Sequence, residues 1–478
     1  MVVTARGLGF RHAGRRAPAV QELDFHIADG ENVLLLGPSG SGKSTLLALL
    51  AGLADTRGGE LSGELTIDGS DPAVRRNGSG MVFQDPLSQI IMARCGDDVA
   101  FGLENQATPE SDIWPMVRRA LAGVGFPYPL HHPTAALSGG EMQRLAIAGN
   151  LARRPGLMLF DEPSANLDAE GRSLVWQALD PILADPDMTC VMVEHRLAEV
   201  GDRFDRALVL DGEGRLLASG SAATVLAEHD DRLIEHGIWS PNVPVPSPRR
   251  GDPGRVCLSA TKLAYRYKRS DHNAVEGIDL QHRSGEMVAI TGSNGSGKST
   301  LTRLLGGLEK PRTGAVRVSD SNVPLHRMKA PTLAGHVGTV FQNPENQFIT
   351  SEVREELAFS PRMAGWAESR TERRVDELLE RLGLSRLARA NPFTLSGGEA
   401  RRLSVAAALA AAPGVLLLDE PSYGQDRRTW AEMLDLVHQV RSEGTGIIAV
   451  THDRDFVAAL SDREIVLSDG RVAEERQW

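Results

Sequence analysis

GPSGSGKST at residues 37–45 decides the fold, and the chain writes it twice, as GSNGSGKST stands at 292–300. Both copies meet the pattern G-x-x-x-x-G-K-[ST], through Gly37, Gly42, Lys43 and Ser44 and through Gly292, Gly297, Lys298 and Ser299. Glycines let the backbone curl until its N–H groups turn inward on a polyphosphate, and the helix behind adds its positive end. Pro38, Ser39, Gly40, Ser41 and Thr45 complete the first cradle; Ser293, Asn294, Gly295, Ser296 and Thr300 complete the second. Lys43 and Lys298 are expected at the β- and γ-phosphates of ATP, and Ser44 and Ser299 on its Mg2+. Each loop follows a strand-like run, NVLLLG at 32–37 or MVAIT at 287–291, and precedes a helix-like one, TLLALLAGL or TLTRLLGGL. Strand, glycine loop and helix in sequence predict an α/β core in each half.

Working outward, VFQDP at 82–86 recurs as VFQNP at 340–344, and LSGGE at 137–141 recurs at 395–399. LMLFDEPS at 157–164 recurs as VLLLDEPS at 415–422, and His195 is followed by His452. Five motifs in one order, at offsets of 255 to 258, make the chain a duplication. Its expected domains are 1–239 and 256–478, joined by SPNVPVPSPRRGDPGR at 240–255. Five prolines without hydrophobic periodicity read as a linker, and at about 3.1 Å per residue it reaches roughly 50 Å. A globule of one half's size is roughly 45 Å across, so the tether lets the halves meet face to face. Between Gln84 and Ser138, and between Gln342 and Ser396, lie charged amphipathic pieces such as ESRTERRVDELLERLGL at 368–384. They predict an inserted helical subdomain.

Asp161 and Asp419 end the apolar runs LMLFD and VLLLD, where a carboxylate can hold Mg2+ beside the phosphate loop. Glu162 and Glu420 follow directly, as candidate general bases for the attacking water. The bulk composition excludes some alternatives. A net charge of −11 over 478 residues argues against a chain built to grip nucleic acid. Cys95, Cys190 and Cys257 are too dispersed for a metal cluster or a disulfide framework, which fits a reducing compartment. No stretch approaches the ~20 apolar residues of a spanning helix, and no signal-peptide core is visible near Met1.

LSGGE makes the pattern specific. The order phosphate loop, glutamine loop, LSGGE, D-E-P-S and late histidine resembles the ABC (ATP-binding cassette) ATPases over nearly the whole chain. The resemblance implies two tandem P-loop ATPase domains, each with a RecA-like core, an antiparallel β subdomain and a helical subdomain. It implies that the halves pair head to tail. Ser138, Gly139 and Gly140 would close on ATP held by the second half, and Ser396, Gly397 and Gly398 on ATP held by the first. Gln84 and Gln342 would sense Mg2+, the attacking water and a membrane partner, and His195 and His452 would contact the γ-phosphate. Asp168 and Asp426 would act across the interface of the halves. An aromatic residue roughly 25 positions before the phosphate loop stacks on adenine in the family. Tyr267 fits, whereas the first half offers His12, with Phe10 as its substitute, so adenine selectivity is expected to be weaker there.

QDPLSQIIMARCGDDVAFGLEN at 84–105 and QNPENQFITSEVREELAFSP at 342–361 share Q-x-x-x-x-Q and acidic pairs. With SYGQDRRTW they resemble the fused ATPase subunits of energy-coupling factor (ECF) importers, which take up vitamins and cobalt or nickel. That likeness implies a peripheral site on the cytoplasmic membrane face, an integral membrane T component and a substrate-binding membrane subunit. Asp97, Asp98, Glu355 and Glu356 are candidates to meet basic residues of the partner. The alternatives are the fused ATPase of a sugar or peptide importer and a ribosome-associated twin ATPase. Two intact sites speak against the first, and a short proline-rich linker with negative net charge against the second.

Overall fold

In the computed structural model the described residues are 1–15, 17–54, 59–74, 78–165, 167–195, 197–200, 202–228, 230–239, 248, 251, 253–268, 270–422 and 424–477. The chain divides into two compact units. Most of the proposed linker, 240–255, lies outside the described residues.

The first unit carries β1 (Val3–Arg11), β2 (Val20–Ile27), β3 (Asn32–Leu36), β4 (Glu60–Ile67), β5 (Ser79–Val82), β6 (Leu157–Asp161), β7 (Thr189–Val193), β8 (Arg206–Leu210) and β9 (Leu216–Ser221). The second carries β10 (Val256–Tyr265), β11 (Val275–Arg283), β12 (Met287–Gly292), β13 (Thr313–Val318), β14 (Val337–Val340), β15 (Val415–Asp419), β16 (Gly446–Val450), β17 (Arg463–Ser468) and β18 (Arg471–Gln477). Each unit has an antiparallel three-stranded sheet, β2-β1-β4 or β11-β10-β13. Each also has a six-stranded sheet, β5-β6-β7-β3-β8-β9 or β14-β15-β16-β12-β17-β18, parallel except for its last strand. One strand order in both units is what a duplicated sequence should give.

The central strand shows why the apolar run is unbroken. Every residue of β3 is buried. Val33 and Leu35 pack with Val3, Leu8 and Ile67 of the smaller sheet, while Leu34 and Leu36 pack with Val99, Leu145 and Phe160. A parallel sheet covered on both faces has no reason to alternate polar and apolar residues. The phosphate loop leaves the end of this central strand, and the helix Lys43–Leu50, or Lys298–Leu305 in the second unit, starts at its lysine.

The predicted helical insertion is present in both units, as Cys95–Asn105 and Glu110–Gly123 and as Val353–Met363 and Glu368–Arg381. In the last of these Thr371, Val375, Leu378 and Leu379 are buried, one face of a helix at spacings of four, three and one. Among the described residues no helix is long and apolar enough to cross a membrane.

Candidate nucleotide-binding sites

Gly42 and Gly297 are held at φ of 88° and 101°, a conformation that L side chains rarely adopt. A Cβ would also collide there with the carbonyl oxygen of Ala19 or Ala274. No other residue type fits the last turn of either loop. Lys43 Nζ donates to the carbonyls of Gly37 and Pro38, both at 2.8 Å. Lys298 Nζ makes the matching bonds to Gly292 and Ser293, at 2.9 and 2.8 Å. Burial pulls the Lys43 ammonium below its usual pKa, with Glu162 and Asp161 opposing it.

Both proposed magnesium carboxylates lie at strand ends beside these lysines. Burial raises Asp161, against a hydrogen bond from the Ser44 hydroxyl, so the first unit brings two of its proposed metal ligands into contact. Burial raises Asp419 too, opposed by the charges of Arg303, Arg401 and Lys298. Ser299, Gln342 and Asp419 line one cavity of about 380 Å³ with Arg303 and Phe341. An oxygen-rich donor set of hydroxyl, carboxylate and amide suits a hard cation.

The two glutamates after these strands adopt left-handed backbone, with φ of 47° at Glu162 and 48° at Glu420. Such geometry is uncommon outside glycine and concentrates at functional positions. Their side chains differ. Glu162 is 3.0 Å from His195 Nε2 and accepts from Gln84 Nε2 at 3.0 Å. Burial favours its neutral form, yet the charge and hydrogen bond of His195, then Lys43 and Gln84, outweigh that and hold the carboxyl below its ordinary range. Glu420 lies 3.6 Å from His452 Nε2 and accepts the backbone N–H of His452 at 3.2 Å. Burial dominates here and pushes its pKa up to about 7. Glutamine, glutamate and histidine thus converge in the first unit, whereas in the second the glutamate and histidine side chains stand farther apart.

Ser138 and Ser396 cap the helices Gly139–Ala152 and Gly397–Leu409. The fifth letter of LSGGE closes each capping box, as Glu141 and Glu399 accept the N–H of Ser138 at 2.7 Å and of Ser396 at 2.8 Å. Gly139, Gly140, Gly397 and Gly398 form the first turns, where unpaired N–H groups point out of the helix end. His12 Nε2 is 3.1 Å from the Thr45 hydroxyl, and the Tyr267 hydroxyl is 3.0 Å from that of Thr300. Imidazole and phenol therefore occupy corresponding places. Phe10 is 1% exposed and turned into the core, which removes it as the substitute stacking residue. Asp168 caps the helix Ala169–Leu183 through the N–H of Gly171 at 2.8 Å, and Asp426 precedes the helix Arg427–Ser442.

The acidic pairs need correction. Asp98 accepts the N–H groups of Ile91 and Met92 at 2.7 and 2.8 Å. Glu356, 4% exposed, accepts from the N–H groups of Ile349 and Thr350 and from the Thr350 hydroxyl. These two carboxylates hold the glutamine-loop segment in shape, and Glu355 pairs with Arg362. Asp97 remains exposed. Sequence reasoning also missed Arg401, whose guanidinium donates to the carbonyls of Phe341 at 2.8 Å and Gln342 at 2.6 Å. At the matching position Gln143 makes one contact of 3.4 Å with the carbonyl of Phe83. It missed Glu194 as well, buried beside His195 and bonded to the Ser164 hydroxyl at 2.6 Å. A charged residue inside the apolar run CVMVEH was the available signal.

A family model described as ABC transporter matches residues 20–165 and 275–423. YkoD of Bacillus subtilis (strain 168), provisionally named an HMP/thiamine import ATP-binding protein, is 32% identical over 504 residues, covering 99% of this chain and 91% of that protein. A Methanosarcina acetivorans protein provisionally named an ABC transporter ATP-binding protein is also 32% identical, covering 95% and 82%. Among solved structures, cbiO1 from Clostridium perfringens, described as part of the ABC transporter complex cbiONQ, is 32% identical over 46% of this chain and 88% of that one, with a TM-score of 0.42.

Proposed function

The chain belongs to the ABC transporter family, as a tandem ATPase, and from that premise we propose that it drives an importer of the energy-coupling type from the cytoplasmic membrane face. The observation that carries this reading is the glutamine-loop segment, built alike in both halves. Gln84 and Gln342 are each followed five residues later by Gln89 or Gln347, whose side chain returns to the loop, and Asp98 or Glu356 gathers the N–H groups beyond. That leaves Leu87 and Ile91, and Phe341 and Ile349, exposed on a braced segment suited to an apolar helix of a T component. The name of YkoD, which mentions HMP/thiamine import, supports a vitamin-type solute. The solute would be bound by a separate membrane subunit.

In this reading each ATP, with Mg2+ on Ser44, Asp161 and Gln84 or on Ser299, Asp419 and Gln342, is completed by the LSGGE segment of the other half. Lys43 and Lys298 hold the β/γ-phosphates, and Glu162 and Glu420 take the proton of the attacking water. His195 and His452 contact the γ-phosphate, and His12 and Tyr267 lie against adenine. ATP stabilises the closed pair, and hydrolysis removes that stabilisation, so closure performs work on the membrane partner. Purification of the tagged chain from its native membrane tests the assignment. A T component and a small membrane substrate-binding subunit should co-purify. Recovery with a periplasmic-type receptor and paired permeases would contradict it.

A further inference from the structure

The two halves differ at the buried position that precedes the late histidine, and the difference reaches the hydrogen bonds of the second half's proposed catalytic glutamate. The residue before the late histidine is Glu194 in the first half and Thr451 in the second. Both follow a fully buried strand, β7 or β16, so the histidine N–H that comes next needs an acceptor. In the first half Glu194 supplies it. Its Oε1 accepts the His195 N–H at 2.8 Å, and its Oε2 is fixed by the Ser164 hydroxyl at 2.6 Å. Glu162 is thereby left to face the side chains of Gln84 and His195, each at 3.0 Å.

Thr451 cannot do this. Its short hydroxyl accepts the N–H of Asp453 at 3.0 Å and hydrogen-bonds Glu420. The His452 N–H then falls to Glu420, at 3.2 Å. Glu420 is tied to main chain on the strand side, and its distance to His452 Nε2 opens to 3.6 Å. One oxygen of Glu420 is thus committed to a backbone N–H, whereas both oxygens of Glu162 face the side chains of Gln84 and His195, the groups proposed to meet the attacking water and the γ-phosphate.

We propose that Glu194 and Thr451 are positioning residues that set the posture of the catalytic glutamate, making the first half's glutamate the faster of the two. The inference rests on the assignment of Glu162 and Glu420 as bases, and it reaches beyond it by making the two sites unequal. One hydrogen bond of ordinary net strength corresponds to about a tenfold difference in rate.

The test is single-turnover hydrolysis of bound ATP in the full chain, reading the first half's glutamate in Glu420→Gln and the second's in Glu162→Gln. The first background should be about tenfold faster than the second. Adding Glu194→Thr should slow the first by about tenfold with KM for ATP unchanged, and adding Thr451→Glu, in a half whose Ser422 matches Ser164 in sequence, should speed the second. Glu194→Gln, which can still accept the His195 N–H and donate to Ser164, should stay within about twofold of its parent. Equal rates in the two backgrounds, or KM moving in step with the rate, would overturn the positioning role. An active Glu162→Gln/Glu420→Gln double variant would overturn the base assignment instead.

Discussion

At the scale of single residues, the two glutamates carry the sharpest electrostatic contrast. Glu420 has a carboxyl raised to about 7, so between its ordinary value near 4.5 and 7 the folded chain binds a proton that the unfolded chain has lost. Stability without nucleotide therefore falls as pH rises through that window. Glu420→Gln removes the penalty. In thermal unfolding without nucleotide the variant should gain more over its parent at pH 8 than at pH 5.5, and an equal gain at both would show that Glu420 ionises freely. Glu162, lowered by His195, has the opposite dependence and loses stability as pH falls through its folded pKa. None of this was legible in the sequence, where both read D-E-P-S. The motif names the group but not its surroundings: thirty-odd residues on in the chain, the His195 N–H goes to Glu194, whereas the His452 N–H goes to Glu420. Asp98 and Glu356 teach the same lesson in reverse: acidic letters that suggest a partner are turned inward by neighbouring N–H groups.

Among elements, phosphate loops, strands and the amphipathic insertion could be read directly, because glycine spacing and apolar periodicity are local. What could not be read is how each copy solves the same packing problem. In the second unit the buried Glu464 of β17 accepts from the Thr291 hydroxyl at 2.7 Å and from Arg454 at 2.6 Å, linking the phosphate-loop strand to the segment after His452. The corresponding residues in the first unit are Leu36, Leu197 and Ala207, all within one hydrophobic core cluster. Arg454→Leu alone would leave a carboxylate that is 0% exposed with only the Thr291 hydroxyl at 2.7 Å and the Arg476 guanidinium at 3.6 Å, which should cost about 1 kcal/mol. Adding Thr291→Leu and Glu464→Ala recreates the apolar arrangement and should recover most of it. Urea unfolding midpoints decide this, and a triple variant no more stable than the single one would contradict the equivalence of the two solutions.

For the whole molecule, the duplication was the most legible feature, since five ordered repeats need no structure to be seen. Two sheets with one strand order follow from it. The family's membership then makes the chain a tandem ATPase, and the completion of each nucleotide site by the other half is the claim on which the mechanism depends. Paired lesions in the full chain test it most directly. If Lys43 shares a site with Ser396, Lys43→Ala with Ser396→Arg damages one site twice and spares the site of Lys298 and Ser138. That variant should retain measurable ATP turnover, while Lys43→Ala with Ser138→Arg should lose it. The reverse outcome, with activity surviving only when both lesions fall in one half, would mean that each half works alone and would contradict the account.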